Sequence, residues 1–270
     1  MIKEMNRREA LRVMGAAAVG AAAAATGLDA LASETGARAL GSMAEANALA
    51  SETGAGESDN KNKKDMKVLM INGSPHAAGN TFHMLKEAAE ELERKGIAAE
   101  IVQLGTKPVR GCIGCGKCRA NGGRCAFDDD ACNAIIEKMA QADGLIVGSP
   151  VYYGQPAGQV LCLLQRMAYA GGRHMQGKPA AAVAVCRRGG ATAAFQALQM
   201  PFQMLNMPIV TSQYWNIGYG GAPGEVTRDA EGLQTMRTLA DNMAYMLEQF
   251  ATGTAEKPSR EPQNITSFIR

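Results

Sequence analysis

From Met66 onward the chain alternates short apolar runs with stretches of helical period, and each run opens into a glycine- or proline-bearing loop. "KVLMING" (67–73) reads as a strand, and Thr81–Lys95 has helical periodicity closed by Gly96. "IAAEIVQL" (97–104) is a second strand, "DDDACNAIIEKMAQA" (128–142) a helix and "GLIVGSP" (144–150) a buried strand. "PAGQVLCLLQRMAYA" (156–170) predicts a helix, "KPAAAVAVC" (178–186) a strand and "ATAAFQALQMPFQML" (191–205) a helix. "MPIVTSQYW" (207–215) supplies a fifth strand, and 229–250 a closing helix. Five strands alternating with five helices require an α/β fold, a doubly wound parallel sheet with helices on both faces. Right-handed crossovers then bring ligands to the carboxyl ends of the strands.

The segment before Met66 has a different character. "MNRREALRVMGAAAVGAAAAATGLDALAS" gives a basic start, an apolar run from about Val13 to Ala25, and Ala30-Leu31-Ala32 before Ser33. That is the order of an export signal, and Arg7-Arg8 with Leu11 resembles the twin-arginine type. Residues 1–32 are therefore expected to be a signal peptide that directs the folded protein to the periplasm or another extracytoplasmic face. "ALASETGA" occurs at Ala30–Ala37 and again at Ala48–Ala55. Two small polar copies cannot bury a shared core, so residues 33–65 read as a linker. The domain is expected over 66–250, with a loose tail over 251–270. A formal net charge of +2 is too small to point to nucleic acid or an anionic membrane surface.

Three loops follow the strands. "NGSPHAAGNT" (72–81) offers Ser74, Asn80 and Thr81 with free N–H groups at a helix start, which suits a phosphate monoester. A plain turn with an Asn or Thr cap uses the same residues. "GSPVYYGQPAG" (148–158) carries Pro150, Val151, Tyr152, Tyr153 and Gly154. Its tyrosines present flat faces, and Pro156 stands where a helix opens, so a planar cofactor has a place to stack. "CRRGGATA" (186–193) pairs Arg187 and Arg188, charges for an anionic ligand or simply a solvated face, with Gly189-Gly190, which permits close backbone approach.

"GSPHAAGNT", a loop of four cysteines with "FDDD", and "GSPVYYGQPAG" together resemble the flavodoxin-like NADPH-dependent FMN reductases, above all their iron–sulfur flavoprotein branch. The resemblance covers about 66–250. It implies FMN, with Ser74, His76, Asn80 and Thr81 around the phosphate, where His76 stands in a position the family usually gives to Arg. Pro150, Val151, Tyr152, Tyr153 and Gly154 would border the ring, while Arg187 and Gly189 of the third loop are further candidate cofactor contacts by their charge and backbone access. A homodimer or homotetramer is also expected from the resemblance.

Seven cysteines are present, and five lie between Cys112 and Cys132. "RGCIGCGKCRANGGRC" (110–125) spaces four of them as C-x2-C-x2-C-x6-C among glycines that let the backbone wrap a compact centre. Cys112, Cys115, Cys118 and Cys125 are thus candidate ligands of a 4Fe-4S cluster. A closed zinc site and a set of redox thiols without metal are the alternatives. Cys132, Cys162 and Cys186 read as small buried hydrophobes, Asp128–Asp130 as helix-capping acids, and His83 and His174 as structural or exposed.

These features predict an FMN-dependent oxidoreductase that moves electrons between a reduced donor and a small acceptor such as a quinone, nitro or azo compound. No side-chain acid or nucleophile is needed, because the flavin carries the chemistry. Nicotinamide cofactors are scarce outside the cytoplasm, so a membrane-linked donor is expected ahead of NAD(P)H. A non-catalytic electron carrier or redox sensor is the rival reading.

Overall fold

The computed structural model describes residues 66–254; the expected signal peptide, linker and repeat, and the chain beyond 254, lie outside the described residues. In chain order the elements are β1 (Lys67–Asn72), α1 (Asn80–Arg94), β2 (Ala98–Gln103), α2 (Lys117–Ala120) and α3 (Cys132–Gln141). There follow β3 (Gly144–Tyr152), β4 (Gln155–Pro156), α4 (Gly158–Met175), β5 (Ala180–Cys186), α5 (Ala191–Met204), β6 (Ile217–Tyr219) and α6 (Ala230–Thr252), with a 3-10 turn at Glu225–Arg228. The main sheet is parallel in the order β2-β1-β3-β5-β6, and β4 folds back antiparallel on the end of β3.

Period-two alternation divides β1 between two cores. Leu69 and Ile71 face Ile135, Met139, Leu163 and Phe202 on one side of the sheet. Val68 and Met70 face Met84, Leu85, Leu239 and Met243 on the other. Being covered twice, β1 and β5 read as continuous apolar runs rather than as half-polar strands. Gly73 is imposed by packing: a Cβ there would lie 1.9 Å from Val160 Cγ2 and 2.9 Å from the Gly148 carbonyl oxygen. That close approach draws the loop after β1 against α4 and β3. Among the described residues no helix is long and apolar enough to cross a membrane.

The fifth strand departs from expectation. Within 207–215 only Ile209 bridges to Ala180, and the ladder resumes at Ile217–Tyr219 against Ala184–Cys186. Between them the polar residues turn toward α6, where Ser212 donates to the Thr235 carbonyl and Asn242 to that of Thr211. The helix expected over 156–170 runs on to Met175, because Gly171, Gly172 and Met175 are also buried.

Candidate functional site

Helices α1, α4 and α5 all begin at the carboxyl edge of the sheet, and none has a side-chain cap. The N-cap of α1 is Gly79, so the Asn or Thr cap considered from sequence is absent. Helix α6, by contrast, is capped by Asp229, which accepts from the Gly232 N–H at 2.9 Å. Three helix starts without a side-chain N-cap thus lie at one edge of the sheet, and their positive dipole ends make it a setting for an anion.

Three hydrogen bonds tie down the first loop. Asn72 Oδ1 accepts from the Ser74 N–H at 3.2 Å, Ser74 Oγ accepts from the His76 N–H at 3.1 Å, and Gln103 Nε2 donates to the Ser74 carbonyl at 2.6 Å. Ser74 and Thr81 are buried, while His76 is exposed. Asn80 has a different task from the one its sequence position suggested: its amide donates to the Ala222 carbonyl at 2.9 Å and accepts from the Val226 N–H at 3.2 Å. Its side chain therefore ties this loop to the one after β6, leaving its backbone N–H at the helix start.

In the second loop Ser149 Oγ accepts from the Ala157 N–H at 2.9 Å and so fixes the turn through Pro150 and Val151. Tyr152 is exposed, and Tyr153 is fully exposed with φ +50°, a left-handed conformation unusual for an aromatic residue. The third loop meets the second at Gly190, where φ is +87° and a Cβ would lie 2.7 Å from Gly154 Cα. Gly154 and Gly189 face open space. Arg187 and Arg188 are exposed, and the Arg187 stem passes over Gly221.

The cysteine loop leaves the same edge, after β2. Cys112, Cys115, Cys118 and Cys125 all line one cavity of about 100 Å³, together with Phe127 and Arg166. All four are free thiols. Among the described residues no three His, Cys, Asp or Glu side chains converge as a site for a single metal ion. The cysteines border a shared space instead.

Cys125, the most distant in sequence, is held from several sides. Asn133, buried in α3, accepts from the Cys125 N–H at 2.8 Å and donates to its carbonyl at 3.1 Å. Arg166 Nε donates to Cys125 Sγ at 3.2 Å. Sequence reasoning missed both residues, although an arginine flanked by Leu163, Leu164 and Met167 on a buried helix is itself a signal. The three aspartates act mainly as a charge clamp. Asp130 accepts from the Cys132 N–H at 3.0 Å at the start of α3 and also pairs with Arg166; Asp129 pairs with Arg110, and Asp128 with Arg124. Cys132 is buried, and burial pushes its thiol up to about 12, so it stays protonated. Cys186 is also buried, whereas Cys162 is half-buried beside Gly111.

The family model for NADPH-dependent FMN reductase matches residues 66–222, more than half of the sequence. The chain belongs to that family. An iron–sulfur flavoprotein of Methanocaldococcus jannaschii is 36% identical over 191 residues, covering 68% of this chain and 98% of its own length. Another, from Methanosarcina thermophila, is 31% identical over 190 residues and is covered to 96%. Of solved structures, one of RosB with a bound intermediate has a TM-score of 0.53 at 15% identity, covering 76% of this chain and 93% of that one. A flavone reductase also has a TM-score of 0.53, at 16% identity, covering 71% and 66%. At such identities these two show the fold alone. As an FMN reductase family member the chain is a flavoprotein, and its doubly wound sheet presents the strand-end loops where such folds bind FMN.

Proposed function

We propose that this flavoprotein is an FMN-dependent oxidoreductase that also carries a 4Fe-4S cluster, passing electrons between a reduced donor and a small quinone, nitro or azo acceptor. One observation carries the reading: four cysteines from a single loop line one cavity, at the sheet edge where three uncapped helices begin. Four thiols spaced C-x2-C-x2-C-x6-C around one cavity suit a cluster, and a closed zinc site is the competing occupant. When bound, FMN supplies one- and two-electron chemistry and the cluster one-electron transfer.

The chain's own residues bind and orient. The N–H groups at the start of α1, with the Ser74 and Thr81 hydroxyls, receive the phosphate, and exposed His76 and Arg187 add positive charge or donors at the rim. Pro150, Val151, Tyr152, Tyr153, Gly154 and Gly189 border the ring. Helix α4 begins at that loop, and Arg166 stands about two turns, roughly 12 Å, along its axis. One rigid element thus spans both cofactor positions.

Gly190 gives a direct check of the ring pocket. Gly190→Val should force its loop away from Gly154 and strain a left-handed backbone, at about 1–2 kcal/mol. Passed on to the pocket, that cost weakens FMN binding by about tenfold or more, measured by fluorescence titration of FMN-depleted protein.

The test of the proposal as a whole is an anaerobic spectrum of the purified protein with iron, acid-labile sulfide and zinc assays. About four irons per chain with stoichiometric FMN is the expected result; FMN with zinc, or with no metal, leaves a simple flavin reductase. Export, read from residues 1–32, favours a membrane-linked carrier as donor. Brisk anaerobic turnover with NADPH, and none with reduced carriers, would reject that donor.

A further inference from the structure

Arg166 is 1% exposed at its side chain, yet it lies in a helix whose neighbouring positions form the apolar core. A buried ion pair alone would need only Asp130. The remaining donors reach the cysteine loop at both ends: Nη1 to the Arg110 carbonyl at 3.5 Å, Nη2 to the Phe127 carbonyl at 2.9 Å, and Nε to Cys125 Sγ at 3.2 Å. Asp130 in turn accepts from the Arg110 N–H at 3.0 Å. The guanidinium thereby joins the segment just before Cys112 to the segment just after Cys125, with its planar fork fixed by four partners. Cys112, Cys115 and Cys118 share one tight turn, whereas Cys125 must be brought back across six intervening residues. Its sulfur is the one that Arg166 holds.

We propose that Arg166 is a positioning residue for the fourth thiolate, and that its Nε–H bond to Cys125 Sγ raises the reduction potential of the cluster ligated there. The proposal rests on the cluster reading given above. An N–H donor to a ligand sulfur favours the more negative, reduced state. Asp130 balances the guanidinium charge, which leaves the directed hydrogen bond as the main local influence on that sulfur. Asn133 positions the Cys125 backbone but makes no bond to the sulfur, so the two residues have separable effects.

The experiment compares wild type, Arg166→Gln and Arg166→Lys as anaerobically purified full chains. Iron, sulfide and FMN are counted, and the cluster is titrated with dithionite and redox dyes, read by bleaching near 400 nm and by EPR. Arg166→Gln should lower the reduced-to-oxidised ratio at a fixed poise about tenfold, equivalent to roughly 59 mV for one electron, with the flavin potential unmoved. Lysine keeps a counter-charge for Asp130 but not the fork, so it should move the ratio in the same direction by a smaller factor. If glutamine abolishes folding, the lysine variant alone decides. Loss of iron from a folded, FMN-loaded Arg166→Gln protein supports the positioning role. Full iron with a ratio within about twofold of wild type in every folded variant overturns the proposal alone. Wild type with FMN and no iron overturns the underlying cluster reading and the proposal with it.

Discussion

Cys125→Ser should lower iron and acid-labile sulfide from about four per chain to near background while FMN remains stoichiometric. Cys112→Ser and Cys115→Ser should do the same. The flavin loops follow β1, β3 and β5, whereas the cysteine loop follows β2 at the edge of the sheet. Cys118 and Cys125 only flank the core that covers β1, β3 and β5 and are half-buried there, so a serine leaves the flavin loops in place. Cys132→Ser is the informative control: its thiol stays protonated in the core, so that variant should keep its iron while losing some stability to a buried hydroxyl. Metal analysis and the flavin absorption of each anaerobically purified variant check the set. Iron lost from Cys132→Ser and retained in Cys125→Ser would reassign the fourth ligand. Iron retained in every variant would remove the cavity from consideration as a metal site.

Residues buried on both sides were the most legible in the sequence. The β1 run Val68–Ile71 and the all-apolar β5 leave no alternative to a doubly covered sheet, and the loops after them follow from topology. Strand β6 was not legible, because three residues including Gly218 carry too little pattern. Its position is set by packing, with a Cβ on Gly218 falling 2.7 Å from Met84 Sδ. The apolar pair Ile209-Val210 was the stronger local signal, but polar partners on α6 draw the chain out of the sheet immediately afterwards. Spacing also identified the four cysteines. What holds Cys125 could not be found that way, since Asn133 and Arg166 act across 8 and 41 residues of sequence. Asn80 shows the same limit: its polar side chain was legible, but its commitment to the loop after β6 was a tertiary outcome.

Asp130→Asn should be strongly destabilising, at about 3–5 kcal/mol, the range for breaking a buried ion pair from one side. The side chains of Asp130 and Arg166 are 4% and 1% exposed, so water has little access to replace the lost carboxylate. Burial by itself would push the Asp130 carboxyl up, but the Arg110 and Cys132 N–H groups and the Arg166 guanidinium more than offset it and hold the group below its ordinary value. The sign of the pH dependence follows. The carboxylate's contribution is complete above its unfolded value near about pH 4 and drains away as pH falls through the lower folded value. Urea unfolding of iron-free protein, which keeps acid loss of metal out of the comparison, should therefore show the full gap between wild type and Asp130→Asn at pH 7. The gap should narrow only below about pH 4. The exposed pair Arg110–Asp129 supplies the contrast, since both side chains are 56% exposed. Asp129→Asn should leave the urea midpoint close to that of wild type, because water screens a surface ion pair. Equal losses from the two variants would mean that the Arg166 fan does not organise the loop. A large loss confined to Asp130→Asn would place the loop's stability in that one buried contact.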